Sequence, residues 1–532
     1  MTKERVYLFD TTLRDGAQTQ GVDFSVEDKR TIALALDSLG LDYVEGGWPG
    51  ANPTDTAFFN EAPALVHATL TAFGMTKRSG RSADNDPGLA ALLSTKAPAL
   101  CLVGKSWDFQ VDVALEIPRG ENLDNIAESI AAVVAKKREA LFDAEHFFDG
   151  YKANPDYAFS VLKAAHDAGA RWLVLCDTNG GTLPEEAYRI VSEIKARLPA
   201  AALGIHAHND TEQSVAVSLA ALRGGVRHIQ GTLNGLGERC GNANLCALIP
   251  NLTLKDAYAA QFETGVTPEA LAKLTSVSRL LDEILNRAPS RHAAYVGPSA
   301  FAHKGGLHVS AVQKNPRTYE HVPPESVGNQ RHILVSDQAG RSNITARLAL
   351  AGIEVAADDK RITRLLEDVK AREFLGYAYD GAEASFELLA RRALGQVPNY
   401  FQVESFRVMV ERRHNALGEL VTVSEAVVKV NVAGQNFHNV GTGSGPVNAL
   451  DQALRKDLGR YSSYLEDLRV VDYKVRILTG GTEAVTRVMV ESADARGRRW
   501  STVGVSENII DASFEALSDA ICYKLFRDGA RP

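Results

Sequence analysis

The sequence predicts an α/β protein that begins with a TIM (β/α)8 barrel. Strand-length apolar runs alternate with amphipathic, helix-length stretches from Arg5 to about Gly231. Eight such runs can be counted, which favours a closed barrel over an open sheet. Beyond them the pattern changes first to interrupted helices and then to alternating strands. We therefore expect the barrel to be followed by a helical connecting subdomain and a C-terminal α+β domain.

Each predicted barrel strand is a short apolar run that ends in polar or glycine residues. The runs are VYLF (6–9), LDYVEGG (41–47), ATLTAF (68–73), ALCLVG (99–104), EALFDAE (139–145), RWLVLCD (171–177), LGIHAH (203–208) and VRHIQGT (226–232). Helical patterns separate them, as at 25–40, 124–138, 155–169 and 184–198. Because such alternation joins parallel strands by crossovers, all eight C-terminal strand ends meet at one rim. We expect this barrel domain to span residues 1–280.

The remainder of the chain divides into two further predicted parts. Residues 281–397 form the connecting subdomain, in which helical segments flank a Gly-, Pro- and His-rich section at 297–328. Residues 398–532 form the C-terminal domain, and this domain contains an internal repeat. EAVVKVNV (425–432) matches EAVTRVMV (483–490), and GTGSGPVNALDQAL (441–454) resembles GVSENIIDASFEAL (504–517). The repeat predicts two βββα units, which serve either a buried structural role or ligand binding.

Composition and charge favour small-molecule chemistry. The chain has 532 residues, 45% hydrophobic and 23% charged, and a net charge of -8 that provides no broad basic field for nucleic acid or an anionic membrane surface. Five scattered cysteines form no CxxC pair, and no run of apolar residues is long enough to span a membrane. We therefore expect a cytoplasmic protein with no nucleic-acid or membrane partner.

The motif IHAHND (205–210) predicts a metal site. Side chains alternate along a strand, so His206 and His208 project from the same face. A lone histidine is more often a core residue, but a pair with this spacing at the end of a barrel strand favours metal binding. Two imidazoles complemented by oxygen ligands suit Mg²⁺, Mn²⁺ or Zn²⁺.

The oxygen ligands are predicted in two turns at the same rim. DTTLRDG (10–16) follows strand one and offers Asp15, while GLGERCGNAN (235–244) follows strand eight and offers Asn242. Strands one, seven and eight are neighbours in a closed barrel. Asp15 is therefore expected to supply a carboxylate ligand, and Asn242 an amide carbonyl or a contact close to the ion.

Other polar residues end barrel strands at this rim, which predicts an active site there. Arg14 is adjacent to the proposed ligand Asp15 and is suited to stabilise a developing oxyanion. Glu45 ends strand two, Glu145 ends strand five and Thr178 follows strand six. We expect the substrate-binding residues to be Arg14, Asp15, Glu45 and Thr178.

The three motifs DTTLRDG, HAHND (206–210) and GLGERCGNAN together resemble the metal-dependent barrel superfamily that includes 2-isopropylmalate, homocitrate and citramalate synthases and hydroxymethylglutaryl-CoA lyase. GTGSGPVNALDQAL resembles the regulatory domain of the 2-isopropylmalate synthase group. DTTLRDGAQTQGVDFSVEDK (10–29), YVEGGWPGANPTD (43–55) and DAEHFFDGY (143–151) are most similar to the citramalate synthase branch.

This resemblance implies a reaction and a set of roles. Acetyl-CoA would condense with a 2-oxo acid, pyruvate in this branch, and thioester hydrolysis would release CoA and citramalate for isoleucine biosynthesis. Asp15, His206 and His208 carry over as metal ligands, and Asn242 as a fourth or near-metal group. The catalytic residues implied are Arg14, Glu145, His308 and Tyr319, with Thr178 as a substrate carboxylate contact.

The resemblance also implies a homodimer. His308 and Tyr319 would complete a neighbouring subunit's barrel, and the C-terminal domain would sense isoleucine as a feedback inhibitor. Three alternatives stay open at this stage. The substrate could be the larger oxo acid of 2-isopropylmalate synthase or homocitrate synthase, the reaction could be that of a CoA-ester lyase, or the chain could be a non-catalytic sensor.

Overall fold

The computed structural model describes residues 3–333, 341–356, 359–414, 416–479 and 484–532. These residues form two compact units. The first contains the chain up to Phe301 together with Val322–Arg331, and the second contains Ala302–His321 and the described residues from His332 onward. The predicted division at residues 280 and 397 stays a prediction.

The first unit is an eight-stranded, closed parallel barrel, as the sequence predicts. Strand β1 (Tyr7–Asp10) pairs with β2 (Tyr43–Gly47) on one side and with β8 (His228–Gly231) on the other, which closes the sheet. Because helices cover the outside, the strands are buried on both faces, and this accounts for their apolar runs. The strands are β1 Tyr7–Asp10, β2 Tyr43–Gly47, β3 Thr69–Met75, β4 Ala99–Lys105, β5 Glu139–Glu145, β6 Trp172–Asp177, β7 Leu203–Ala207 and β8 His228–Gly231.

The helices around the barrel begin at sequence signals that satisfy their first backbone N–H groups. Ser25 Oγ accepts from the Asp28 N–H, and the Asp28 carboxylate accepts from the Ser25 N–H, which forms a capping box. Proline occupies the first turn of several others. The principal helices are Val26–Ser38, Pro53–Asn60, Pro87–Ser94, Arg119–Ala135, Phe147–Ala153, Pro155–Asp167, Pro184–Arg197, Ser214–Gly224, Leu245–Leu254 and Leu274–Ile284.

The barrel interior below the rim is aromatic. Phe9, Tyr43 and Trp172 surround His228, with ring centroids 5.0–5.5 Å from the imidazole. His228 is completely buried, neither ring nitrogen has a hydrogen-bond partner among the described residues, and burial lowers its pKa to about 3. This aromatic layer fills the barrel interior below the polar groups that line a cavity at the C-terminal rim.

The second unit contains helices, two three-stranded sheets and a short parallel strand pair, Ala302–His303 with His332–Ile333. Its helices in the connecting region are Gly306–Lys314, Arg341–Leu350, Lys360–Phe374 and Glu383–Ala393. Both three-stranded sheets are antiparallel and have their strands in chain order. Their strands are β9 Gln402–His414, β10 Leu420–Val432, β11 Gln435–Gly443, β12 Arg469–Ile477, β13 Thr486–Ala493 and β14 Arg499–Ser506.

A helix packs on each sheet, which confirms the two predicted βββα repeats. Pro446–Lys456 follows β11, and Ile509–Arg527 follows β14. Both hairpin connections are longer in the second copy: 415–419 corresponds to 478–485, and 433–434 corresponds to 494–498. Leu450, Leu454 and Leu517 contribute to the buried core that the two repeats share.

The described part of the chain contains no helix both long and apolar enough to cross a membrane.

Candidate active site

The proposed metal ligands meet at the C-terminal rim of the barrel. Asp15 follows β1 in a tight turn, in which the Asp10 carboxylate accepts from the Thr12 N–H at 2.8 Å and the Asp15 N–H donates to the Thr11 carbonyl at 2.9 Å. His206 lies within β7 and His208 follows it. Turn geometry after β1 and strand alternation along β7 thus bring three side chains together, across the intervening strand β8.

Asp15, His206 and His208 form a compact buried cluster. His206 Nε2 is 3.2 Å from Asp15 Oδ2 and 3.3 Å from His208 Nε2. One ligand atom from each of the three residues lies within 4.8 Å of the other two. Two imidazole nitrogens and one carboxylate oxygen at such distances suit a divalent ion.

Two oxygen atoms at this position are buried without a hydrogen-bond donor among the described residues. They are Asp15 Oδ1 and Asn242 Oδ1. Asn242 is held beside the cluster by a backbone bridge to His208, and its Nδ2 donates to the Leu236 carbonyl at 3.1 Å. Buried acceptors cost free energy unless a partner satisfies them. The donor set of Asp15, His206 and His208 therefore fits a cation, and Asn242 places a further buried acceptor on a residue bridged to His208.

The electrostatics of the cluster also favour a cation. Burial opposes the charge of Asp15, but Arg14 and the two histidines hold its pKa well below the usual range. Burial lowers the pKa of His208 to about 4, and the charge of His206 adds to this effect. Burial acts in the same direction on His206, but Asp15 outweighs it and raises the pKa of His206. The site thus keeps a carboxylate ionised beside a neutral imidazole.

Arg14 is held between a carboxylate and an aromatic ring. Its Nε donates to Glu45 Oε2 at 2.7 Å, and its guanidinium carbon lies 3.9 Å from the centre of the Phe73 ring. Glu45 also accepts from Thr11 Oγ1 at 2.6 Å and is completely buried. Glu45, predicted to bind substrate, therefore reaches the cavity only through Arg14.

Glu145 and Thr178 lie at the rim on neighbouring strand ends. Glu145 is paired in register with Lys105, whose Nζ is 2.5 Å from Glu145 Oε2. Thr178 Oγ1 accepts from the His146 N–H at 2.8 Å, which leaves its own hydroxyl hydrogen free to donate. Both residues face the same cavity as the metal-ligand cluster.

The cavity at the rim has a volume of about 280 Å³. Six of the predicted residues line it: Arg14, Asp15, Glu145, Thr178, His206 and His208. Phe73, Met75 and Val103 form an apolar part of its wall. The cavity is therefore suited to a small acid with an apolar substituent.

Several lining residues were not predicted. They are Gln18, Trp48, Asp143, Glu238 and Arg239, together with Cys176. Asp143 could have been predicted to face the cavity, because it is an acidic residue between apolar residues of β5. It lies two positions before Glu145 and therefore on the same face of the strand. Burial raises the pKa of the Cys176 thiol, which disfavours the nucleophilic thiolate form.

The structure places His308 and Tyr319 in the second unit. His308 lies in the helix Gly306–Lys314, and Tyr319 follows the short helix Pro316–Thr318. Their rings stack at a centroid distance of 4.1 Å, so the fold brings these two residues together. Their contribution to a neighbouring subunit's barrel stays a prediction.

Comparisons with known proteins agree with this architecture. The HMGL-like family model matches residues 5–280. An (R)-citramalate synthase of Aquifex aeolicus is 49% identical over 529 residues, covering 99% of this chain and 98% of its own. This chain belongs to the citramalate synthase family. A second (R)-citramalate synthase, from Geobacter sulfurreducens, is also 49% identical and covers 98% of both chains.

The same comparisons extend to the rest of the chain and to a neighbouring branch. The homocitrate synthase post-HMGL domain-like model matches residues 295–373, and the LeuA allosteric (dimerisation) domain model matches residues 380–525. A probable 2-isopropylmalate synthase of Methanopyrus kandleri is 32% identical over 96% of this chain and 97% of its own. The C-terminal repeats are thus of the LeuA type.

Proposed function

We propose that this chain condenses acetyl-CoA with pyruvate and water to give (R)-citramalate and CoA. The observation that carries the proposal is the near full-length match to (R)-citramalate synthases. The barrel rim supports it, because Asp15, His206 and His208 lie close enough together to hold a metal ion, and Arg14 lines the same small cavity. A non-catalytic sensor with a decayed barrel would gain nothing from these buried polar side chains, which cost free energy unless they are satisfied.

Asp15, His206 and His208 would hold a divalent ion, with Asn242 Oδ1 as the fourth protein ligand. When bound, such an ion supplies Lewis-acid polarisation of the ketone of a 2-oxo acid. The mixed nitrogen and oxygen set suits Mg²⁺, Mn²⁺ or Zn²⁺. The two unpartnered oxygens, Asp15 Oδ1 and Asn242 Oδ1, support this assignment.

The surrounding side chains bind and orient the two substrates. The free hydroxyl hydrogen of Thr178 would donate to the carboxylate of pyruvate, and Phe73, Met75 and Val103 would contact its methyl group. Lys105 pairs with Oε2 of Glu145, so Oε1 would accept the proton removed from the acetyl methyl group.

The carbanion equivalent of the acetyl group would then attack the ketone carbon of pyruvate. A carbon–carbon bond forms while the ketone π bond breaks, and negative charge develops on the ketone oxygen. The Arg14 guanidinium would stabilise that charge and is held in place for this by Glu45. Protonation of the oxygen and hydrolysis of the thioester would release citramalate and CoA.

The remaining parts of the proposal concern assembly and regulation. We propose a homodimer in which His308 and Tyr319 complete the partner subunit's site, and an isoleucine response through the C-terminal repeats. The match to the LeuA allosteric (dimerisation) domain supports both. A cytoplasmic location is also proposed, supported by five cysteines that form no disulfide.

The test is CoA thiol release by the metal-reconstituted full chain with acetyl-CoA and, separately, pyruvate, 2-oxobutyrate, 2-oxoisovalerate and 2-oxoglutarate. The highest kcat/KM is expected for pyruvate, with (R)-citramalate as the product on a chiral column. Asp15→Asn is expected to abolish release while retaining the fold, whereas the exposed control Asp84→Asn should be unaffected. A preference for a larger oxo acid, or no release with any of them, would refute the proposal.

A further inference from the structure

Two buried polar residues adjoin His206 without belonging to the metal-ligand cluster. Gln230 lies on β8, in register with His206 on β7, and is completely buried. Asp143 lies on β5 and is 3% exposed. Neither residue is adjacent in sequence to any proposed ligand. Polar side chains inside a barrel cost free energy unless they are hydrogen-bonded, so their contacts require an explanation.

The three residues form a continuous hydrogen-bond chain. Gln230 Nε2 donates to Asp143 Oδ1 at 3.0 Å, and Gln230 Oε1 is 2.7 Å from His206 Nδ1. A carboxylate offers only acceptors, so it orients the amide of Gln230 with its NH2 group toward Asp143. The amide oxygen then faces His206 and requires a hydrogen on Nδ1.

This arrangement determines which nitrogen of His206 can bind an ion. With the hydrogen on Nδ1, the lone pair is on Nε2, which is the atom 3.2 Å from Asp15 Oδ2 and 3.3 Å from His208 Nε2. We infer that Gln230, oriented by Asp143, is a positioning residue that holds His206 in the tautomer and ring orientation in which Nε2 faces the metal. The inference rests on the metal site of the proposed function.

A purely structural role for Gln230 would have a different consequence. Loss of a buried hydrogen bond would then lower stability without a specific effect on metal binding. The chain offers a matched control in His228, which lies two residues before Gln230 on the same strand, is equally buried and has no hydrogen-bond partner among the described residues. His228→Phe alters the barrel interior but leaves the chain from Asp143 to His206 intact.

The experiment measures Mn²⁺ and Zn²⁺ dissociation constants by calorimetry on the chelator-stripped full chain, without substrates. Gln230→Met, which preserves volume but removes both hydrogen bonds, is expected to weaken binding by about 10- to 100-fold. His228→Phe should leave the dissociation constants unchanged. Thermal unfolding of each variant reports whether it is folded.

A double variant tests the direction of the hydrogen bonds. In Gln230→Glu with Asp143→Asn, the amide at 143 donates to the carboxylate at 230, which still accepts from His206 Nδ1. Metal affinity close to that of the unmodified chain is expected. Unchanged affinity in folded Gln230→Met, or a double variant no better than Gln230→Met, would overturn the inference. Because no substrate is present, either result is independent of whether the chain forms citramalate.

Discussion

Arg14 Nε and Glu45 Oε2 are 2.7 Å apart in an ion pair whose carboxylate is completely buried. Arg14 also lies over the ring of Phe73. Glu45 thus holds one edge of the guanidinium, and the Phe73 ring packs on one of its faces. Arg14 also contacts Asp15 and lines the cavity. Such preorganisation is the main requirement for electrostatic stabilisation of a developing oxyanion.

Glu45→Gln is expected to reduce kcat/KM for pyruvate on the order of 100-fold, because Arg14 loses the charge that orients it. CoA thiol release checks the rate, and circular dichroism checks the fold. The matched control is Glu61→Gln, at an exposed position outside the cavity, which should behave like the unmodified chain. An unchanged kcat/KM in Glu45→Gln would show that Arg14 needs no such partner.

Lys29→Met is expected to destabilise the barrel by about 3–5 kcal/mol, because it leaves Asp55 buried without its counter-charge. Lys29 Nζ pairs with Asp55 and donates to the carbonyls of Leu13 and Gly46, at 2.8 and 2.9 Å. Urea unfolding measures the change. The double variant Lys29→Met with Asp55→Asn should recover part of the loss, and equal midpoints for Lys29→Met and the unmodified chain would contradict this account.

Val103→Ala should shift substrate preference toward larger oxo acids. Val103 belongs to the apolar wall of the cavity, so its truncation makes room for an additional methylene group. The ratio of kcat/KM for 2-oxobutyrate to that for pyruvate is expected to rise about 10-fold. Val113→Ala, at an exposed position outside the cavity, provides the control. An unchanged ratio would place the substrate methyl group elsewhere.

The stability of the barrel should depend on Asp10 between pH 4 and pH 7. Burial raises the pKa of Asp10 to about 7 in the folded protein. Between about pH 4 and pH 7, Asp10 therefore keeps a proton in the folded protein that it has lost in the unfolded chain. Its contribution to stability therefore falls as pH rises through this range, by at most about 1.4 kcal/mol per pH unit. Asp10→Asn should flatten the dependence in thermal unfolding.

Asp37 provides a control of opposite sign. Burial opposes its charge, but the N–H groups of Ala68, Val66 and His67 hold its pKa below the usual value. Asp37 therefore stabilises the folded protein at neutral pH, and this stabilisation is lost as the pH falls through the pKa that Asp37 has in the folded protein. Asp37→Asn should lower stability at pH 7 more than at pH 3. The same pH slope in both variants would contradict the two assignments.

Much of the fold and part of the site could be predicted from local patterns. The eight apolar runs correspond to β1–β8, and the repeat in the last domain corresponds to two βββα units. Asp15, His206 and His208 were found because period-two alternation and the position of a turn after a strand are local properties. Lys29 and Gln230 were missed, since each looks like an ordinary surface or strand residue until its partner is known.

The sequence by itself determined the barrel, the rim on which the polar residues gather and the donor types suited to a divalent ion. Only the tertiary structure decided that Glu45 pairs with Arg14 and that Gln230 is hydrogen-bonded to both Asp143 and His206. The reason is physical: strand alternation is set by neighbouring residues, whereas contacts inside a closed barrel depend on the register among all eight strands. Gln230 and Asp143 are 87 residues apart, and register alone makes them partners.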